Sequence, residues 1–272
     1  MAGSQNHLEQ ESFDSATMPF VAPCNKLDTW AAFRWIRLGW QDLKRAKKQS
    51  LLYGMVMMLI SYIVTFAAWS MGSYMMLFAL LSGFFFVGPV LAIGLYSISC
   101  QLQEGKQPHL GYCLREGRRH IGNGLVFAFI LLIVFLIWAR AASMVHIFFP
   151  EQAHPALNEL IIFLSVGTTV GAFFSMIIFT VSAFSLPMIM DRKVDVITAV
   201  VTSINAVLHN KAAMLVWVSI IVLSMLIGFL TAYIGLIVLL PLIGHATWYG
   251  YRETVNADAW PRYDDIDSQL AD

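Results

Sequence analysis

The chain alternates long apolar stretches with short polar connections. No Asp, Glu, Lys or Arg occurs between Gln49 and Gln103, between Leu160 and Met190, or between Ala212 and Tyr251. A helix on a water-facing surface needs a solvated stripe. Runs of this length have none, so they read as membrane spans. A span takes about 20 apolar residues to cross about 30 Å of hydrocarbon. The first and last runs therefore hold two spans each, because one continuous helix would overshoot the bilayer about twofold or more. Spans are expected at Ser50–Trp69, Tyr74–Ser97, Gly124–Phe148, Leu160–Met190, Ala212–Gly228 and Thr231–Tyr249.

A short segment with helical periodicity precedes each odd-numbered span. In the first, Trp30, Phe33, Ile36, Trp40 and Leu43 share one face, and Arg34, Arg37, Gln41, Lys44 and Lys48 another, with Asp28 or Thr29 placed to cap it. Aromatic on one side and basic on the other is the pattern of a helix lying in the membrane interface. The second runs from Leu110 to Ile121. In the third, Ile197, Val200, Val201, Ile204, Val207 and Leu208 oppose Thr198, Thr202, Asn205 and His209, with Asp195 as the cap.

Charge fixes the expected orientation. Of 17 Lys and Arg, 16 fall before span one, between spans two and three, between spans four and five, or after span six; Arg140, inside span three, is the other. The positive-inside rule makes that loaded face cytoplasmic, with both termini on it. A composition of 58% apolar and 12% charged residues agrees with a polytopic membrane protein. The zero net charge hides this segregation and gives no reason to expect nucleic acid. Residues 1–25 lack the basic and apolar regions of a signal peptide and read as a disordered cytoplasmic tail. Residues 26–252 read as the membrane domain and 253–272 as an acidic tail. Cys24, Cys100 and Cys113 lie in or beside the cytoplasmic segments, where disulfides are not expected.

Each even-numbered span carries a proline: Pro89, Pro187 and Pro241. The unit of interfacial helix, span, and proline-bearing span thus occurs three times, from internal duplication or from a helix class that tolerates proline. The expected fold is an all-α membrane protein of six spans in three helix-hairpin repeats. The stretches GPVLAIGLYSIS, WAR in span three, SLPMIMDRKVDVITAVVTSINAVLHN and LLPLIGHATWYGYR resemble a bacterial membrane family, domain of unknown function 2189, over roughly Leu27 to Arg252. The resemblance implies a multi-span inner-membrane protein and supplies no activity and no catalytic residues.

Several polar groups at membrane depth are candidates for function. Arg140 is costly inside a span. It either snorkels outward beside Trp138, pairing with Glu151 or Glu159, or binds an anionic ligand or lipid. Gly167, Gly171 and Ser175 form a small-residue stripe suited to close helix packing. Helix breaks at matched repeat positions point to a transporter site. Asp191, Arg192 and His245 follow two of the prolines, so they either meet in a ligand pocket or merely end their helices. His109, Cys113 and His120 share a helical face, but the last two are about 10 Å apart along it, too far to share one metal ion. No nucleophile elbow, phosphate loop, zinc motif or dinucleotide loop is present. The expectation is a non-enzyme without cofactor or metal: an accessory, assembly or lipid-organising membrane component. Anionic headgroups would meet its basic face, and a membrane-protein partner or second copy is possible on the same grounds. A small transporter or channel among the proline-broken spans is the alternative.

Overall fold

The structure, a computed structural model, describes residues 19–71, 91–148 and 157–262. These are almost wholly helical. Helix α1 covers Ala31–Arg45, α2 Lys47–Met71, α3 residues 91–103, α4 Leu110–Arg119 and α5 Ile121–Phe148. Then follow α6 Leu157–Ser182, α7 Ser185–Asp191, α8 Val196–His209, α9 Lys211–Leu230 and α10 Leu236–Thr254. Among the described residues, four stretches are long and apolar enough to cross a membrane: Lys47–Ala67, Ile121–Met144, Leu157–Asp191 and Lys211–Leu230. The first part of expected span two, with Pro89, lies outside the described residues.

The helix at the place of the expected sixth span, α10, is not one of these four, and it starts later than the hydropathy pattern suggests. Thr231–Gly235 is a tight turn with Ala232 and Tyr233 at positive φ (50° and 66°). The turn holds these left-handed residues by side-chain bonds. Thr231 Oγ1 donates to Ile227 O and accepts from Gly235 N at 2.9 Å, while Tyr62 OH donates to Ala232 O. The helix that follows, α10, is the hub of the molecule and packs against α1, α2, α7 and α9.

The two described prolines act differently. Pro187 has no N–H to offer Ala183 O, and the long helix duly parts at Ala183–Phe184 into α6 and α7. Ser203 Oγ then takes over, accepting from Phe184 N at 3.1 Å and donating to Thr180 O at 2.9 Å. Pro241, by contrast, sits inside an unbroken α10. It frees the carbonyl of Ile237, and Gly54 of α2 lies directly against that carbonyl: a Cβ there would overlap it. Gly39 of α1 makes a similar approach, since a Cβ on it would stand 2.8 Å from Ala246 N.

The fully buried core gathers at the end of the molecule that carries α1, α8 and the basic residues. Trp35 meets Trp217 edge-on at 5.6 Å and Phe184 at 6.4 Å, with Trp248 and Tyr251 beside them. Two non-helical segments close this end. Asn25 N donates to Thr254 O at 2.8 Å and Asn256 N to Pro23 O at 2.9 Å, and Lys193 N donates to Pro261 O at 3.0 Å. Ala22, Ala257 and Trp260 are thereby buried.

Helices α1 and α8 do not bury the faces that their apolar pattern marks out. In α1 the buried residues are Ala31, Ala32, Trp35, Gly39, Asp42 and Leu43, whereas Trp30, Phe33 and Trp40 point outward. In α8, capped by Asp195 as expected, each expected side is split: Val196, Thr198, Thr202, Ser203 and Val207 are buried while Ile197, Asn205, Leu208 and His209 are exposed. Small and hydroxyl-bearing faces do pack together when the alternative environment is lipid.

Candidate functional site

Two closed polar clusters hang on the basic end of α10. The first surrounds Asp191, whose side chain is almost fully buried at the end of α7. Its Oδ2 accepts from Tyr251 OH at 2.8 Å, Arg192 Nε at 3.1 Å and Arg252 Nη1 at 3.1 Å. Arg262 Nε stands 3.5 Å from Oδ1. Arg192 goes on to donate to Trp260 O at 2.8 Å and to Asp258 at 3.1 Å. Burial, then the neighbouring carboxylate of Asp191, pushes the Tyr251 phenol well above its ordinary pKa, so it remains a donor. One carboxylate thus ties α7, α10 and the segment 255–262 together.

The second cluster surrounds His245, which is fully buried. Its Nε2 lies 2.8 Å from Ser50 Oγ on α2 and its Nδ1 2.8 Å from Ser99 Oγ on α3. In a neutral imidazole one ring nitrogen donates to one of these two serines and the other accepts from the second, so His245 bridges α2 and α3 in either tautomer. On the neighbouring α1 lies Asp42, 1% exposed, close enough to the hydroxyls of Tyr249 and Ser99 for both to act on its carboxyl. Asp42 Oδ2 itself has no partner among the described residues. Desolvation pushes the Asp42 carboxyl above its ordinary pKa; the Tyr249 and Ser99 hydroxyls and the nearby Arg45 pull part of that back.

The structure therefore brings Asp191 and Arg192 together and places His245 apart from them. Tyr251 stands six residues beyond His245 on α10, about 9 Å along the axis, and the two point to different sides. Arg140 is exposed on α5 and makes no ion pair among the described residues; Glu151 lies outside them. Gly171 and Ser175 line a shallow groove with Phe135 and Trp138 between α5 and α6. Among the described residues a Cβ on Gly167 or Gly171 would touch nothing, so neither glycine is at a tight crossing there. No group of three or more His, Cys, Asp or Glu gathers as metal ligands would, among the described residues.

Sequence reasoning missed Asp42, Ser50 and Ser99. A signal was present: Ala31, Trp35, Gly39, Asp42 and Ala46 recur at helical spacing, an otherwise uncharged stripe that carries one acid.

Residues 77–191 match the family described as predicted integral membrane protein, domain of unknown function 2189, the family the sequence resembles. The match takes in GPVLAIGLYSIS, WAR and SLPMIMD, and stops short of α8, α9 and α10. No curated protein and no solved structure matches the chain.

Proposed function

We propose that this chain is a non-enzymatic, lipid-organising component of a bacterial cytoplasmic membrane. In this reading it has six spans in three hairpins, each entered through an interfacial helix, with both termini cytoplasmic. The outward aromatic and basic residues at α1 carry the proposal. Trp30, Phe33 and Trp40 face outward, Lys44 sits over the Trp40 ring at 5.4 Å, and Arg37 lies on the same exposed side. Aromatic rings and basic heads together suit the headgroup level of an anionic leaflet. The complete segregation of Lys and Arg supports the orientation.

The test is reconstitution into nanodiscs of dioleoyl phosphatidylcholine with and without dioleoyl phosphatidylglycerol. The anionic lipid should raise the unfolding temperature, and Arg37→Gln/Lys44→Gln should remove much of that gain. Equal stability in both lipids would overturn the proposal. The transporter reading keeps one point in its favour, the break of α6 from α7 ahead of Asp191.

A further inference from the structure

Between α6, α8 and α9 runs an open groove of about 280 Å³. Phe179, Leu208, Leu215 and Val218 supply apolar wall. Thr180 also faces it, but its hydroxyl is already spent on Met176 O at 2.7 Å. Lys211 is the one charged residue on the wall, and it stands at the first residue of α9. It is exposed and pairs with no carboxylate among the described residues. From Lys211 to Val218 the groove runs about 10 Å along α9. It is therefore an apolar trough with a single cation at one end, and that end directly follows α8.

We infer that this groove holds an acyl chain of an anionic phospholipid whose phosphate rests on Lys211. The inference rests on the lipid reading above and gives it a specific site. Charge complementarity selects the ligand. The trough offers nothing to a polar solute, a second apolar helix would leave Lys211 without an anion, and a zwitterionic lipid would bring its own cation to the same place. The ammonium sits where α8 marks the interface, so a phosphate at headgroup depth meets it while the chain runs along α9. Leu208 and Leu215, both more than half exposed, form the rim over which the lipid enters from the bilayer.

The experiment uses full-length, delipidated protein in mild detergent. Dioleoyl phosphatidylglycerol or dioleoyl phosphatidylcholine is added, and retained lipid is counted by native mass spectrometry. Wild type should retain the anionic lipid over the zwitterionic one by about fivefold, the size expected of one basic contact near a headgroup. Lys211→Gln should abolish the preference, Lys211→Arg should keep it, and Leu215→Trp, which fills the trough, should lower retention of both lipids. Lys211 and Leu215 are exposed, so the variants should keep the wild-type gel-filtration profile. A Lys211→Gln protein with wild-type preference, or a Leu215→Trp protein that retains both lipids, overturns the site. If Arg37→Gln/Lys44→Gln loses the preference while Lys211→Gln keeps it, the site falls and the lipid reading stands. If wild type itself shows no preference, both fall.

Discussion

Gly54→Ala should loosen the molecule at its hub. The Ile237 carbonyl lacks its usual donor because residue 241 is proline, and Gly54 is the residue that covers it. The added Cβ would overlap that carbonyl and stand 2.8 Å from Ile237 Cα, where ordinary carbon contacts are about 3.5–4.0 Å. The obstacle is backbone, so no rotamer change relieves it, and α2 must retreat from α10 by about 1 Å. Forced overpacking costs about 1–3 kcal/mol, sometimes more. The assay is thermal unfolding of detergent-purified protein, with Gly167→Ala as control, since a Cβ there meets nothing among the described residues. Gly54→Ala should unfold several degrees lower, and Gly167→Ala should match wild type or exceed it through better helix propensity. Pro241→Ala restores the missing N–H and draws the carbonyl back into line, so the double variant should be less damaged than the sum of the two. A Gly54→Ala protein as stable as wild type would refute the close approach of α2 to α10.

Other outcomes follow from the clusters and the charge pattern. Reporter fusions after Ser73, Glu151 and Thr231 should read periplasm, and fusions after Gly105, Lys193 and Arg262 cytoplasm; reversal at any two sites defeats the six-span arrangement. Changing Lys44, Arg45, Lys47 and Lys48 together to Glu should disturb insertion or orientation of α2, measured as membrane-inserted protein, and normal insertion would mark these residues as an ordinary solvated run. Asp191→Ala leaves the Tyr251 hydroxyl without its acceptor and nearly buried Arg192 with only Asp258 and the Trp260 carbonyl, so stability should drop by about 3 kcal/mol; Asp191→Ala and His245→Ala should be additive in a double-mutant cycle because the two clusters share no partner, and strong coupling would mean one site after all. Asp42 binds a proton more tightly folded than unfolded, so its contribution to stability is greatest below the ordinary carboxylate range and is lost as pH rises through its raised pKa. Asp42→Asn should remove that part of the pH dependence, and identical pH profiles for the two proteins would refute it.

The described spans were legible because lipid imposes a crude, strong rule: every stretch that crosses must be apolar and helical. Leu157–Asp191 and Lys211–Leu230 follow directly from their charge-free runs. The cap at Asp195 was legible for an equally local reason, since its carboxylate needs only Thr198 N three residues on. The packing of chain ends was not. Composition makes tails of residues 1–25 and 253–272, yet Ala22 and Trp260 are buried. Their places depend on bonds such as Ala22 N to Thr202 Oγ1 at 3.0 Å, across 180 residues of sequence, which no local pattern encodes.

The polar clusters show how the membrane changes the reading of amphipathicity. In water the large apolar residues of α1 would mark its buried side, and Asp42 would count as part of the solvated one. Here the burying face mixes Trp35 and Leu43 with small residues, because Gly39 lets α1 come against α10, while Trp30, Phe33 and Trp40 stay outside. Asp42 is carried inward by that same face and lies beside the line that runs from Ser50 through His245 to Ser99. In α8 Thr202 turns inward to hold Ala22, and Ser203 to mend the backbone that Pro187 interrupts. These two buried hydroxyls are therefore structural partners to broken or terminal backbone, and at α1 the side chains left facing outward are largely aromatic and basic. That division agrees with the proposed lipid contact on α1 and at Lys211.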